Sequence, residues 1–311
     1  MSRSRIMISP TARTRAEHLG DEARQWLADL DELIAAIEQQ WHITVGEPFL
    51  NANEGIVARA RTADGGKAVL KLMAPMPWED DQIGVLERAE GRGYARAIAV
   101  DRDKNAILLE ALGTPLSDMG WSTERVMTTL VTTLRQAWTV ALPTTYDIKT
   151  GAQKAQERHW LVDQLWDKLE RPCPAEVVAR AKRYCDRRAA AFAPAHAVHA
   201  HGDPHAGNAL QVPEPRPGAE SGFAFVDPDG LFIEPAYDLG AIMSGGEDEL
   251  KGGASRALAR QWCSMLAEAS GADGQAIWEW AFIERVAIGL YALDHGWAWG
   301  QDKLDAAGQL S

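Results

Sequence analysis

The chain has 311 residues, 46% of them hydrophobic and 24% charged, an ordinary globular composition long enough for one two-lobed unit or two domains around a cleft. A formal net charge of -12 argues against a nucleic acid or an anionic membrane as partner, because both demand a basic face, and it is compatible with a cationic substrate. Cys173, Cys185 and Cys263 are too far apart for a disulfide framework or a zinc-ligand set, and no apolar run is long enough for a membrane helix, so a protein of the reducing cytoplasm is expected.

Residues 1–15 are rich in Ser, Arg and Thr with no apolar segment behind them and read as a frayed or loosely attached tail. From Arg15 to Gln40 the residues Leu19, Trp26, Leu27, Leu30, Leu33, Ile34 and Ile37 recur at three- and four-residue steps, which predicts one or two amphipathic helices. The period then changes. Ile43 to Phe49, Gly55 to Thr62 and Ala68 to Met73 are short β-rich runs, the last two joined by the hairpin signal Ala63-Asp64-Gly65-Gly66. A helix around Asp80 to Ala89 comes next, then Gly91-Arg92-Gly93, then strands at Tyr94 to Val100 and Ala106 to Leu109. Beyond Gly113 the texture is helical, broken at Pro143, Pro172-Cys173-Pro174 and Pro213 to Pro217. The exception is a short hairpin, Ala209 to Val212 with Phe223 to Val226. The expected organisation is therefore α+β: a tail with amphipathic helices over 1–40, a small antiparallel-sheet lobe over 41–112, and a mostly helical lobe over 113–311.

The residues that carry chemistry bracket that hairpin. Asp203 and Asn208 lie five positions apart in His201-Gly-Asp-Pro-His-Ala-Gly-Asn208, and Asp227-Pro-Asp-Gly230 follows the second strand. Phosphoryl transfer uses this set: a carboxylate that accepts the proton of the attacking hydroxyl, and an amide oxygen and a further carboxylate that hold Mg2+ against the nucleotide phosphates. In the sheet lobe, Lys71 sits inside the apolar run Val69-Leu70-Lys71-Leu72, where an unpaired ammonium is costly, so it is expected to point into a polar cleft toward phosphate or carboxylate. Asn51-Ala-Asn53-Glu-Gly55 joins the first two strands, and its backbone amides, Asn53 among them, are placed to cover phosphates.

Together, His201 to Asn208, Phe225-Val-Asp227-Pro-Asp-Gly and Glu234-Pro-Ala-Tyr-Asp238-Leu resemble the aminoglycoside phosphotransferase family, which has a protein-kinase-like two-lobed fold. Gly91-Arg-Gly-Tyr-Ala-Arg96 and Leu108-Leu-Glu110-Ala-Leu-Gly113 are similar to its branch of streptomycin 6-phosphotransferases and hydroxyurea phosphotransferases. The resemblance implies ATP and Mg2+ as cofactors, Asp203 as catalytic base, Asn208 and Asp227 as metal ligands, and Lys71 as the lysine on the α- and β-phosphates. It also implies hinge contacts from Leu109 and Ala111 to adenine, and a structural role for Asp238 under the catalytic loop. One departure stands out: Gln82 occupies the place where the family puts the glutamate that pairs with the lysine, leaving Glu79 or Glu87 as substitutes.

Two other readings use the same residues. His199, His201, Asp203 and His205 resemble a zinc-hydrolase cluster, although one residue is inserted before the last histidine and Lys71, Asn208 and Asp227 are left without roles. Gln82 alternatively marks a non-catalytic binding module of the same fold. For the acceptor, Trp262, Trp278, Trp280, Tyr291, Trp297 and Trp299 with Glu247, Asp248, Glu249, Glu279, Glu284 and Asp294 suit a polyhydroxylated cation, and a few of these acids are expected to line its site. Most of the tryptophans are expected to be helix-packing core.

Overall fold

Three helices precede the first strand where the apolar period predicts one or two. In the computed structural model, which describes residues 7–50, 55–75, 82–143, 148–246, 248–250 and 255–310, they are α1 (Pro10–His18), α2 (Asp21–Ala28) and α3 (Leu30–Trp41). The expectation of a loose tail is corrected from residue 8 onward. Ser9 caps α1 by accepting the Ala12 amide at 3.0 Å, Pro10 opens the first turn, and Ile8, Ala12 and Ala16 are buried with the sheet residues Ile56, Ala58 and Ala60. The missed signal is a Ser-Pro helix start ahead of small residues, whose alanines carry too little hydrophobicity to show as a stripe.

The sheet is antiparallel throughout: β1 (Ile43–Pro48), β2 (Gly55–Thr62), β3 (Lys67–Met73), β4 (Ala97–Asp101) and β5 (Ala106–Glu110), in the order β1-β2-β3-β5-β4. Alternation along β3 and β5 assigns its two faces. Ala68, Leu70, Leu72, Ala106 and Leu108 join the core under α1 to α3, while Met73, Ile107 and Leu109 turn the other way, with α4 (Gln82–Ala89), into the core shared with the helical lobe. Lys71 has the parity of Met73, so the register places it on the inner face.

The strand predicted from Tyr94 starts at Ala97 instead. Residues 93–95 are drawn off the sheet by the helical lobe: Phe225 N–H donates to Gly93 O and Ala95 N–H to Phe225 O, both at 2.8 Å, and Tyr94 is fully buried. This segment lies against the C-terminal end of α5 (Thr123–Ala137) so closely that a Cβ on Gly93, which has φ of +71°, would stand 2.4 Å from the Ala137 amide nitrogen. Gly93→Ala is therefore expected to cost about 3 kcal/mol and lower Tm by roughly 6–12 °C in a thermal melt. An unchanged Tm would show that this junction yields.

The helical lobe continues with α6 (Gly151–Lys168), α7 (Ala175–Ala191), α8 (Ala236–Met243), α9 (Ser255–Ser270), α10 (Gly274–Asp294) and α11 (Gly300–Leu310). Thr150 and Gln153 form a capping box at the start of α6, and Ser122 and Asp273 cap α5 and α10. α10 is apolar nearly all round, with Ile277, Trp278, Trp280, Phe282, Ile283, Val286 and Leu290 buried, which makes it the central helix of the lobe. Two short antiparallel pairs sit where this lobe meets the sheet: β6 (Val198–Ala200) with β9 (Leu231–Ile233), and β7 (Ala209–Gln211) with β8 (Phe223–Phe225). The second is the predicted hairpin. The first was not legible, because three-residue runs such as Val198-His-Ala show no alternation that can be counted.

Candidate active site

The two short pairs bring the motif residues together. The loop from His201 to Asn208 runs from β6 to β7, and the loop from Val226 to Gly230 runs from β8 to β9, so antiparallel pairing sets the two loops side by side. Val226 N–H donates to Asn208 O at 2.9 Å and Asp229 N–H to His201 O at 2.8 Å, stitching one loop to the other.

His201 is the internal brace. Its Nδ1 accepts the Asp203 amide at 3.1 Å and its Nε2 donates to Val226 O at 3.0 Å, which commits both ring nitrogens and fixes a neutral tautomer. Burial holds its pKa below the ordinary histidine range, and the ring stacks on Tyr94 and meets Phe225 edge-on. A zinc ligand needs a free nitrogen lone pair, which this ring does not offer. Among the described residues no group of three or more His, Cys, Asp and Glu side chains is arranged to hold a metal.

Beneath the loop, Asp238 on α8 is fully buried and accepts His201 N–H and Gly202 N–H at 2.9 Å each and Trp138 Nε1–H at 2.8 Å. Burial pushes its carboxyl above the ordinary range, although the nearby His201 and the three donors work against that shift. Gly202 has φ of +93°, and a Cβ there would stand 2.6 Å from Cβ of Asp229, so only glycine lets the two loops approach this closely.

Asp203 presents a carboxylate that is 58% exposed at the cleft. His205 lies beside it, Nε2 to Oδ2 at 3.5 Å, and because His205 Nδ1 accepts the Gly207 amide at 3.0 Å, the ring proton faces the carboxylate. This pairing of His205 with Asp203 was not legible beforehand, since nothing in the spacing indicates which way the ring turns. Asn208 donates its Nδ2 to Asp203 O at 3.1 Å, which aims Oδ1 away from the loop as a carbonyl-type ligand. Asp227 adopts a left-handed φ of +57°, unusual for a non-glycine residue, and holds Lys71 Nζ at 2.6 Å from Oδ1. Burial alone would raise the Asp227 carboxyl, but the adjacent Lys71 ammonium outweighs it and keeps the group below the usual carboxylate range. An amide oxygen and a carboxylate held ionised suit a small hard cation such as Mg2+.

Lys71, 8% exposed, thus meets Asp227 and neither of the placed alternatives. Glu87 is engaged at the surface with Arg102 at 2.6 Å, and Gln82 is buried at the start of α4. Glu79 and Asn53 lie outside the described residues, as does Glu247. Leu109 pairs with Val69 in β5, and Ala111 follows the strand's last residue at the crossing to the helical lobe.

A cavity of about 860 Å³ opens directly from Asp203. Its lining includes Asp203, His205 and Asp229, the apolar or aromatic Trp121, Met127 and Leu130, and Tyr291, Trp297 and Trp299. The last three are each nearly half exposed, and Trp297 and Trp299 stack at 5.9 Å. Trp262, Trp278 and Trp280 are buried in the helical core. Of the acids expected near the acceptor, Glu284 lines the cavity, held by Arg158 through two bonds of 2.8 and 2.9 Å. Glu279 is instead sequestered by Arg187 and Arg188, and Asp294 pairs with Lys168. Asp229, the second acid of the Asp227-Pro-Asp-Gly230 motif, also lines the cavity, as do Arg158 and Lys303, which no motif marks.

Residues 40–296 match a family described as aminoglycoside/hydroxyurea antibiotic resistance kinase. The streptomycin 6-kinase of Streptomyces glaucescens is 29% identical over 114 residues, 36% of this chain and 37% of that protein. The streptomycin 6-kinase of Streptomyces griseus is 29% identical over 93 residues, 30% of each. The matched stretches span about a third of the length of these curated relatives. Among solved structures, spectinomycin phosphotransferase in complex with ADP and spectinomycin has a TM-score of 0.56 at 14% identity, covering 90% of this chain and 93% of that one. Choline kinase from Cryptosporidium parvum Iowa II has a TM-score of 0.56 at 12% identity, covering 90% and 94%. At these identities the likeness is one of fold, and it is the two-lobed protein-kinase-like α+β fold.

Proposed function

The chain belongs to the aminoglycoside/hydroxyurea antibiotic resistance kinase family, and on that premise we propose that it transfers the γ-phosphoryl group of ATP to a hydroxyl of a cationic, polyhydroxylated small molecule of the streptomycin type. The observation that carries this reading is that Asp203, on the same loop as Asn208 and on a loop bonded to the one that carries Asp227, opens into a cavity of about 860 Å³ whose lining includes three half-exposed aromatic rings. A pocket of this scale matches a drug-sized ligand and is far too large for hydroxyurea.

In this reading the Asp203 carboxylate receives the proton of the acceptor hydroxyl, and the His205 ring beside it stabilises the charge it carries before that transfer. Lys71 pairs with phosphate oxygens, and the backbone at Leu109 and Ala111 meets adenine. Asn208 Oδ1 and the Asp227 carboxylate would hold Mg2+, which when bound neutralises charge on the phosphate oxygens. Tyr291, Trp297 and Trp299 stack on the acceptor's ring or guanidinium faces. Residues 41–112 then act as the nucleotide lobe and 113–311 as the catalytic and acceptor lobe. The three cysteines, all thiols, agree with a cytoplasmic setting.

Purified protein supplied with ATP and Mg2+ is expected to consume ATP in the presence of streptomycin and to leave hydroxyurea untouched. Turnover of hydroxyurea with none of streptomycin or other aminoglycosides would reverse the acceptor assignment. ATP binding with no transfer to any of them would favour the non-catalytic module that Gln82 brings to mind.

A further inference from the structure

We infer that Arg216 is a positioning residue for nucleotide, a latch that fixes the sheet lobe against the catalytic hairpin. Arg216 lies in the turn between β7 and β8, outside every motif of the site, yet its guanidinium reaches back across the lobe junction. Nη1 donates to Gly91 O, and Nη2 donates to Tyr94 O at 3.0 Å and to Glu110 Oε1 at 2.5 Å. Its side chain is 10% exposed, so these bonds form away from bulk water, where they are least screened. Glu110 is the last residue of β5, between Leu109 and Ala111, and the same Oε1 accepts the Arg96 amide at 2.8 Å. The turn adds Gly218 O, which accepts Gly93 N–H at 2.7 Å.

The consequence is geometric. The hairpin held by Arg216 begins just after Asn208 and ends two residues before Asp227, so one planar fork connects the strand end that faces adenine to the element that carries both metal ligands. A fork with several donors in fixed directions is needed to reach two carbonyls and a carboxylate together, and lysine cannot supply it. With the fork removed, the two ends of a nucleotide site are no longer held at a set separation. Closing the lobes then draws on binding energy and lowers nucleotide affinity.

The inference rests on the phosphotransferase reading of Leu109, Ala111, Asn208 and Asp227, and the test separates the two. Calorimetric titration of the full chain with ADP and Mg2+ is paired with thermal melts and steady-state kinetics for the unaltered protein, Arg216→Met, Arg216→Lys and Glu110→Gln. Arg216→Met is expected to weaken ADP binding and raise the KM for ATP by about tenfold, the scale of a modest coupling between sites, with the acceptor KM within about twofold of its original value. Arg216→Lys should not restore affinity. Glu110→Gln, which keeps shape and loses charge, should shift ADP affinity in the same direction by less, and it covers the case in which Arg216→Met does not fold. Lower Tm with unchanged ADP affinity in both folded variants, or equal rises in both KM values, would overturn the latch and leave a purely structural contact. Failure of the unaltered protein to bind ADP would overturn the phosphotransferase reading and the latch with it.

Discussion

Asp203→Asn is expected to lower kcat by roughly 10²- to 10⁴-fold, the range associated with losing a general base, while the affinity for ADP with Mg2+ stays within about twofold. The amide has the carboxylate's shape but no capacity to take a proton from the acceptor hydroxyl. The loop should keep its form, because what positions it is the backbone: the Asp203 amide on His201 Nδ1 and the Asp203 carbonyl under Asn208 Nδ2. Among the described residues the side chain itself has His205 as its polar partner, and it is more than half exposed, so Tm is expected to change by no more than about 2 °C, as for a surface substitution. Kinetics with streptomycin as acceptor, read beside calorimetry with ADP, separate chemistry from binding. Near-normal kcat would remove Asp203 from the role of base and turn attention to Asp229, another carboxylate that lines the cavity.

The candidate site was readable as a set of motifs because the phosphate and metal chemistry proposed for it restricts residue types at fixed spacing. Asp203, Asn208 and Asp227 stand on two loops bonded to each other, and Lys71 meets Asp227 from the sheet, since an apolar strand interrupted by one ammonium has a single way to bury it favourably. Pairings that depend on three-dimensional closure were not readable. Among the described residues Lys71 pairs with Asp227, 156 positions away, and no count back from Gly91 leads there. Arg216 sits in a Pro- and Gly-rich turn whose composition marks a loop and says nothing of what the side chain reaches. The cavity wall was partly readable. Composition picked out the aromatics of the last 50 residues, but not their division into core and cavity lining: Trp278, Trp280 and Tyr291 share α10, whose nearly continuous apolar surface hides which side faces the cavity, and Trp297 and Trp299 stand in the turn between α10 and α11, where no periodicity applies. The acids were harder still, because basic residues on α6 and α7 claim Glu284 and Glu279.

Asp238→Ala is expected to cost about 3 kcal/mol of stability, lowering Tm by roughly 6–12 °C, and to reduce kcat by 10- to 100-fold although Asp238 touches no reacting atom. Three donors lose their acceptor at once, His201 N–H, Gly202 N–H and Trp138 Nε1–H, and a buried donor without a partner costs on the order of 1–3 kcal/mol. The sum is not fully realised. Burial already disfavours the Asp238 charge, as its raised pKa indicates, so removing the carboxylate returns part of that desolvation. Asp238→Asn separates the two effects. It removes the charge and retains one oxygen, but the amide nitrogen must replace either Oδ2, which serves His201 and Trp138, or Oδ1, which serves Gly202. The second orientation loses one bond instead of two and sets N–H against N–H at Gly202, the residue immediately before the base. The asparagine variant is therefore expected to melt closer to the unaltered protein than the alanine variant does, while kcat falls by a comparable factor, because the catalytic loop has lost its anchor at the position next to Asp203. Thermal melts and kinetics on the two variants make the comparison, and an asparagine variant with full activity would mean that the loop is held in place by His201 and its ring neighbours, the stacked Tyr94 and the edge-on Phe225, alone.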